Sequence, residues 1–297
     1  MSARATHAIP RDDITARLVR CGLFPLMMFG GLAAAAAALH AGVDPPLVVA
    51  AAALTTALVV CLAERRWPHD PRWNQPRGDV GTDLMHTAVS MMLIPEALRA
   101  GFLALVALLA GAATVPWSLW PDWHWIPSLA LALVVTELGY YLLHRAMHTY
   151  EPLWRLHAVH HSAPRLYWLN AGRFHVLDAA LIFTTQLPLL ILLGCPEDII
   201  ALFLVTGAIH GLFQHANLDL RLGGLNHVFA MAELHRWHHA RTGPGARANY
   251  GGNLILWDTL LGTRYLPPGA PDAIGFDGDE GYPTGWRGQL LAPFRRR

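Results

Sequence analysis

Long apolar runs constrain the fold of this chain more than any other feature. A backbone that enters a bilayer must satisfy its own hydrogen bonds, so only helices and closed barrels cross it. About 20 consecutive apolar residues let a helix span the hydrocarbon core, and the runs Cys21 to Gly42, Pro46 to Ala63 and Ile126 to Leu143 reach or approach that length. Because 54% of the 297 residues are hydrophobic and only 14% are charged, the sequence predicts an all-α membrane protein.

Three further apolar runs are less regular. The run Leu84 to Ala113 is interrupted at Pro95 and by two charged residues that follow it, a pattern that predicts an interfacial piece followed by one span. The runs Ala179 to Gly194 and Asp198 to Phe213 are short, which predicts either a tight hairpin or a re-entrant pair. The sequence therefore predicts four to six transmembrane or re-entrant helices.

The arginines predict which side of the membrane each loop faces. The N-terminus and the segment Glu64 to Arg77 are rich in arginine, whereas the segments Val43 to Pro45, Trp117 to Trp125 and Cys195 to Glu197 contain none. Positively charged short loops stay in the cytoplasm. We therefore expect a multi-pass protein of a bacterial-type inner membrane, with both termini and the histidine-rich segments on the cytoplasmic side.

The chain divides into four segments by composition. We expect an N-terminal cytoplasmic segment at 1–20, transmembrane helices and loops at 21–125, a catalytic domain at 126–266 and a weakly ordered tail at 267–297, because the residues beyond Pro267 are rich in Gly, Pro and Asp. A formal net charge of +1 leaves no strong basic field, so nucleic-acid binding is not expected. The oligomeric state is left open by the sequence.

Histidines are concentrated in one part of the chain. Twelve of the seventeen fall between His144 and His239, in an HxxxH box and two HxxHH boxes. On a helix, positions i, i+3 and i+4 share one face. A single HxxxH is weak evidence for a metal site, but an HxxHH that recurs with the same spacing is stronger. So many buried imidazoles would repel one another if protonated and would leave polar atoms unpaired if neutral, and bound metal removes both costs.

The number of imidazoles indicates which metal site is expected. Imidazole suits iron, copper, zinc and nickel, and eight or more nitrogens exceed the needs of a single ion. A structural zinc site uses four ligands and a hydrolytic one three plus water. Two redox-active iron ions, with open positions for oxygen, fit the count best.

At these boxes the chain resembles the fatty acid hydroxylase/sterol desaturase superfamily of integral membrane di-iron oxidases. The resemblance covers roughly Leu129 to Tyr265 and includes the segment that begins at Glu137 and leads into the first box, Trp154-Arg-Leu-His157, Arg173-Phe-His175 and Gln214-His215-Ala-Asn217. Where the family often has proline after the histidine equivalent to His175, this chain has Val176. The departure weakens the local assignment.

The resemblance implies roles for particular residues. The metal ligands that it implies are His144, His148, His157, His160, His161, His235, His238 and His239, with His215 as a ninth. We expect catalytic or supporting roles for Glu137, Tyr141, His175 and Asn217. Glu137 and Tyr141 share a helix face with His144, and a metal-bound imidazole usually donates its second nitrogen to a carboxylate or carbonyl; Asp178 is a similar supporting candidate. His210 is a weaker candidate and is expected to be a polar residue within a span.

The expected reaction is oxygen-dependent hydroxylation or desaturation of a lipid, and ligand count does not choose between the two. No haem, flavin or nicotinamide fingerprint occurs in the sequence, so electrons are expected from a separate cytochrome b5-like or ferredoxin-type donor. A histidine-rich membrane metal transporter is the rival reading, but its ligands should lie within the spans. A metal-binding protein without oxidase activity is a further alternative.

Overall fold

A computed structural model describes residues 14–110, 115 and 117–295 of the chain. These residues contain helices joined by loops and isolated bridges, with no β-strand. Five helices are long and apolar enough to cross a membrane: α1 (Ile14–His40), α2 (Pro45–Arg66), α3 (Val80–Leu109), α4 (Trp125–Met147) and α7 (Glu197–Gln214). The shorter helices are α5 (Glu151–His161), α6 (Val176–Leu192), α8 (Ala232–His238), α9 (Leu256–Leu260) and α10 (Trp286–Leu291). The prediction of an all-α membrane protein is confirmed.

The ends of the long helices define two sides of the molecule. On one side lie the histidine-rich segments, which we call the cap (residues 64–83, 144–175 and 214–295). Arg20 of α1 pairs with Asp219 of the cap at 3.1 Å, and Glu64 near the end of α2 accepts a hydrogen bond from the backbone N–H of Asn217 at 2.7 Å. The chain thus starts and finishes, within the described residues, on the cap side. Residues 1–13 of the predicted N-terminal segment lie outside the described residues.

The pair formed by α6 and α7 is a full hairpin. Its turn packs against the loop that precedes α4, where Leu119 N donates to Leu193 O at 2.9 Å and the Trp117 indole donates to Leu192 O at 3.1 Å. Gly194 in this turn has a φ of +70° and lies so close to Ser118 that a Cβ would be 2.6 Å from its Cα. The turn of the α6–α7 hairpin therefore lies at the end of the molecule where α4 begins, opposite the cap.

The sequence predicts two separate pieces in this region, but α3 continues from Val80 to Leu109. Pro95 lacks a backbone N–H and cannot donate a helical hydrogen bond. A π-helical segment, Thr87–Leu93, ends just before it and accommodates the missing donor. The charged residues after the proline pair with each other, with Arg99 2.7 Å from Glu96. The end of the predicted run, residues 111–113, lies outside the described residues.

The core is organised around α7, which packs against α1, α2 and α4. Its side chains Leu202, Ile209 and Phe213 are almost fully buried, and Phe24 of α1 meets Phe213 edge to face at 5.5 Å between ring centroids. In contrast, α3 buries little of its apolar surface. The helix that leads into the cap at residue 215 is therefore the most firmly held.

The tail beyond Pro267 is more ordered than the sequence predicts. Helix α10 packs against α3 and the end of α5 through the buried Gln289. The Gln289 amide donates to Ser162 Oγ at 3.2 Å, and its carbonyl oxygen lies 2.8 Å from His86 Nε2. A segment rich in Gly and Pro lacks periodicity of its own, and its order comes from these tertiary contacts, which local patterns do not reveal.

Candidate metal centre

Five of the predicted ligands form one group of imidazoles, which we call group A. One ring nitrogen of each can be chosen so that all five lie within 4.8 Å of one another. The first two come from the end of α4, the next two from α5 and the last from α8. The members of group A are His144, His148, His157, His161 and His238.

The other four predicted ligands form a second group, group B, with the same limit of 4.8 Å. Its members are His160, His215, His235 and His239, and all four are buried. The groups adjoin, since the rings of His161 and His239 stack with centroids 4.4 Å apart. The structure thus brings all nine predicted side chains into one cluster.

Helix geometry explains how each HxxHH box serves both groups. In α5, His157 and His161 are four residues apart and point into group A, while His160 points into group B. The third box reverses this arrangement, because its two residues four apart, His235 and His239, lie in group B and His238 lies in group A. Two short helices therefore supply six of the nine imidazoles.

Hydrogen bonds at Nδ1 determine the tautomer of two group A imidazoles. His144 Nδ1 lies 2.7 Å from the carbonyl oxygen of Tyr250, and His157 Nδ1 lies 2.9 Å from Asp178 Oδ2. Carbonyl and carboxylate oxygens accept, so both Nδ1 atoms carry the proton and both Nε2 atoms have a free lone pair. These two Nε2 atoms are 3.0 Å apart. Two lone pairs at this distance repel each other unless a cation lies between them.

Group B repeats this arrangement. His215 Nδ1 donates to Asn170 Oδ1 at 2.9 Å, and His160 Nδ1 donates to the carbonyl oxygen of Arg173 at 3.2 Å. Their Nε2 atoms lie 2.9 Å from Nε2 of His235 and 3.1 Å from Nε2 of His239, respectively. His160 and His215 thus present inward Nε2 lone pairs whose natural partner is a metal ion, and imidazole nitrogens suit iron, copper, zinc and nickel.

Burial disfavours the charged form of several clustered imidazoles and lowers their pKa. It lowers the pKa of His215 and of His238 to about 3, and it lowers the pKa of His160 and His161 well below the usual value, with neighbouring imidazoles adding to the shift. A neutral imidazole is the form that binds metal. At neutral pH these four imidazoles are therefore in the form that coordinates metal.

Glu137 and Tyr141 belong to neither histidine group. The Glu137 carboxylate accepts hydrogen bonds from the backbone N–H groups of Gly252 and Asn253. The Tyr141 hydroxyl lies 3.0 Å from Thr263 Oγ1. Both side chains connect α4 to the loop of residues 249–263, which also supplies the carbonyl that holds His144.

His175 and Asn217 also lie outside the two groups. His175 caps α6, where its Nδ1 accepts from Leu177 N at 3.1 Å, and Asn217 joins the loop after α7 to the backbone of Asp70. His210 is in neither group. It is buried beside Phe24, and the two rings meet edge to face with centroids 6.2 Å apart. His210 lies within α7, as expected for a polar residue inside a span.

Some residues that hold the imidazoles were not singled out from the sequence. Asn170 lies in a 3₁₀ turn, Trp168–Gly172, where no helical spacing links it to a histidine. Asp258 accepts from the N–H groups of Tyr250 and Gly251 at 2.8 and 2.7 Å and so fixes the loop that orients His144. The segment around Asp258 is part of the family resemblance, but only the fold reveals what its carboxylate contacts.

A Gly251→Ala substitution tests this loop. A Cβ at Gly251 would lie 2.2 Å from the carbonyl oxygen of Leu254, so the backbone must move, and the Tyr250 carbonyl that holds His144 moves with it. We expect destabilisation of about 1–3 kcal/mol and reduced iron content, measured by thermal unfolding in detergent and by elemental analysis. Gly224→Ala is the control, since nothing lies within 4 Å of a Cβ there; equal effects of both variants would contradict the role of the loop.

Comparisons with known proteins agree with this centre. The sequence profile of the family described as "Fatty acid hydroxylase" matches residues 129–263, which include all nine clustered histidines. The ornithine lipid hydroxylase of Rhizobium tropici is 38% identical over 80% of this chain and 73% of its own length. No solved structure matches the chain significantly.

Relatives with lower identity match half of the chain. The alkylglycerol monooxygenases of Danio rerio and Homo sapiens are 33% and 30% identical over 50% of this chain, and the matched part is 32% of each relative's own length. This chain thus aligns with about a third of those two proteins. Together with the bacterial relative, the family profile and the histidine cluster, these matches show that the chain belongs to the fatty acid hydroxylase superfamily.

Proposed function

We propose that this chain is a multi-pass membrane enzyme that uses molecular oxygen and two iron ions to hydroxylate a lipid. The observation that carries the proposal is the pair of adjacent imidazole groups, in which Nδ1 acceptors leave inward-facing Nε2 lone pairs on members of both groups. When bound, two redox-active iron ions would supply oxygen activation for attack on an unactivated C–H bond. Groups A and B would each hold one ion.

The residues around the imidazoles would set their orientation. Asp178, Asn170 and the carbonyl oxygens of Tyr250 and Arg173 hold the Nδ1 protons. Partners of this kind keep a ligating imidazole in one tautomer and in one ring plane. We assign Glu137 and Tyr141 to the same supporting role, because they hold the loop of residues 249–263, and His175 and Asn217 to positioning of the adjoining segments.

The substrate is proposed from the relatives. Ornithine lipid hydroxylase gives an ornithine-containing lipid as the first candidate, and hydroxylation rather than desaturation as the reaction. The cluster lies where the apolar helices meet the cap, so a lipid can reach it from the bilayer. We further propose that the cap faces the cytoplasm, because the arginine-rich segments lie on the same side, and that a separate cytochrome b5-like or ferredoxin-type protein supplies electrons.

Lipid analysis tests this function. The chain would be expressed in a bacterium that makes ornithine lipids but does not hydroxylate them. We expect a new lipid heavier by one oxygen atom, and after growth under labelled oxygen gas the added atom should carry the label. Purified protein should contain about two iron ions per chain. One zinc ion and an unchanged lipid profile would refute the proposal.

A further inference from the structure

A large polar groove runs along the cap. It has a volume of about 1620 Å³ and reaches from Arg20 and Asp219, where α1 meets the cap, to Ser162, Arg173 and Gln289. Charged and polar side chains dominate its wall, which is not the lining expected for an acyl chain. The groove therefore suits the polar part of a ligand that approaches from the membrane side.

The groove shares its inner wall with the metal centre. Arg173 lines the groove, and its carbonyl oxygen holds His160 of group B. Ile274 also lines it, and the next residue, Gly275, donates its N–H to the carbonyl oxygen of His239 at 3.1 Å. A ligand bound at this end lies one layer of side chains from the clustered imidazoles.

Two carboxylates of the groove are already bound by arginines, and Arg173 has a guanidinium nitrogen that is not used. The carboxylate of Asp79 is bound by Arg165 at 2.7 and 3.0 Å, and that of Asp279 is bound by Arg241 at 2.6 Å. Arg173 uses Nε to bind Asp83 at 2.5 Å, but its buried Nη2 has no hydrogen-bond partner among the described residues.

Arg77 adds a second available cation. Its Nη1 donates to the carbonyl oxygen of Pro164 at 3.2 Å, and no carboxylate of the described residues forms an ion pair with it. A buried guanidinium nitrogen without a partner is costly, and acidic oxygens are the partner that guanidinium groups bind best.

We propose that the inner end of this groove binds the acidic oxygens of a lipid headgroup, received by Arg173 Nη2 and Arg77. The proposal rests on the function proposed above and adds the subsite that selects the substrate. The shared chemistry is a carboxylate, as in an ornithine-type headgroup, or a phosphate, as in a phospholipid. Either would place the lipid beside the metal centre with its chains directed to the bilayer.

Lipid binding without turnover tests the proposal. Purified iron-loaded protein, kept without reductant, would be equilibrated with nanodiscs that contain ornithine lipid, phosphatidylglycerol or the neutral diacylglycerol, and retained lipid measured by native mass spectrometry. We expect retention of an acidic lipid and not of diacylglycerol. Ornithine lipid alone identifies a carboxylate as the ligand, and phosphatidylglycerol alone identifies a phosphate.

Three variants make the test specific. Arg173→Lys keeps a charge for Asp83 but lacks the second guanidinium nitrogen. Arg77→Gln removes the charge of an exposed side chain. Each should weaken retention about ten-fold, whereas Arg287→Gln, an exposed arginine outside the groove, should not. Unchanged retention in both groove variants, or equal retention of diacylglycerol, would overturn the proposal. The binding test requires no reaction, so it is independent of turnover. If lipid retention depends on these arginines but the protein oxidises no lipid, the proposed function is refuted and the headgroup site is not.

Discussion

Alanine at His160 or at His238 is expected to abolish lipid oxygenation, with activity falling by more than about 100-fold. Removing only a residue that hydrogen-bonds to a ligand costs up to about 100-fold, and removing the ligand itself should cost more. His160 belongs to group B and His238 to group A, so the two variants remove one nitrogen from each proposed iron site. Both side chains lie in the cap, and the apolar faces of the long helices are untouched. Membrane insertion and expression should therefore stay near wild type.

The measurements are oxygenated lipid per mole of protein, iron content and the elution profile in detergent. His227→Ala is the matched control, because His227 is an exposed cap histidine outside both groups, and it should retain full activity. Full activity in either cluster variant would remove that residue from the proposed ligand set. Loss of the folded elution profile would instead show that the histidine is needed for folding.

Removal of the Asp178 carboxylate is expected to have the second largest effect. Asp178 is fully buried at the start of α6, and its Oδ2 accepts from His157 Nδ1 at 2.9 Å. Asp178→Ala frees the His157 ring to change tautomer and plane and lowers its basicity as a ligand. We expect iron affinity to fall about 10–100-fold, with activity falling in parallel.

A graded series separates this role from a packing role. Asp178→Asn keeps the volume and one oxygen acceptor but removes the charge, so its iron affinity should lie between wild type and Asp178→Ala. Iron affinity would be measured by competition with a chelator of known strength. Asp122→Ala, at an exposed aspartate on the side away from the cap, is the control. Wild-type iron affinity in both Asp178 variants would contradict the proposed orientation of His157.

Much of the architecture follows from the chemistry of the sequence. Apolar runs predict the spans because the bilayer leaves a backbone few alternatives. Helical spacing alone indicates that His157, His160 and His161 point roughly the same way. It does not show that they divide between two groups, because that division depends on where α4, α7 and α8 place the other imidazoles.

The remaining features depend on contacts between distant parts of the chain. Asn170 and the Tyr250 carbonyl meet His215 and His144 across 45 and 106 residues, and they lie in loops without periodicity. The prediction that α3 breaks near Pro95 is wrong because a π-helical segment accommodates the proline. Local sequence patterns indicate the secondary structure that each segment favours. Tertiary contacts determine whether that secondary structure forms.

Two histidine boxes are shared between the groups, because α5 and α8 each contribute to group A and to group B. If each group holds one ion as proposed, an ion in one group would order the same short helices that frame the other. The second ion would then enter a site that is already shaped for it, and we expect cooperative uptake. At limiting iron supply, most molecules would then hold either two ions or none.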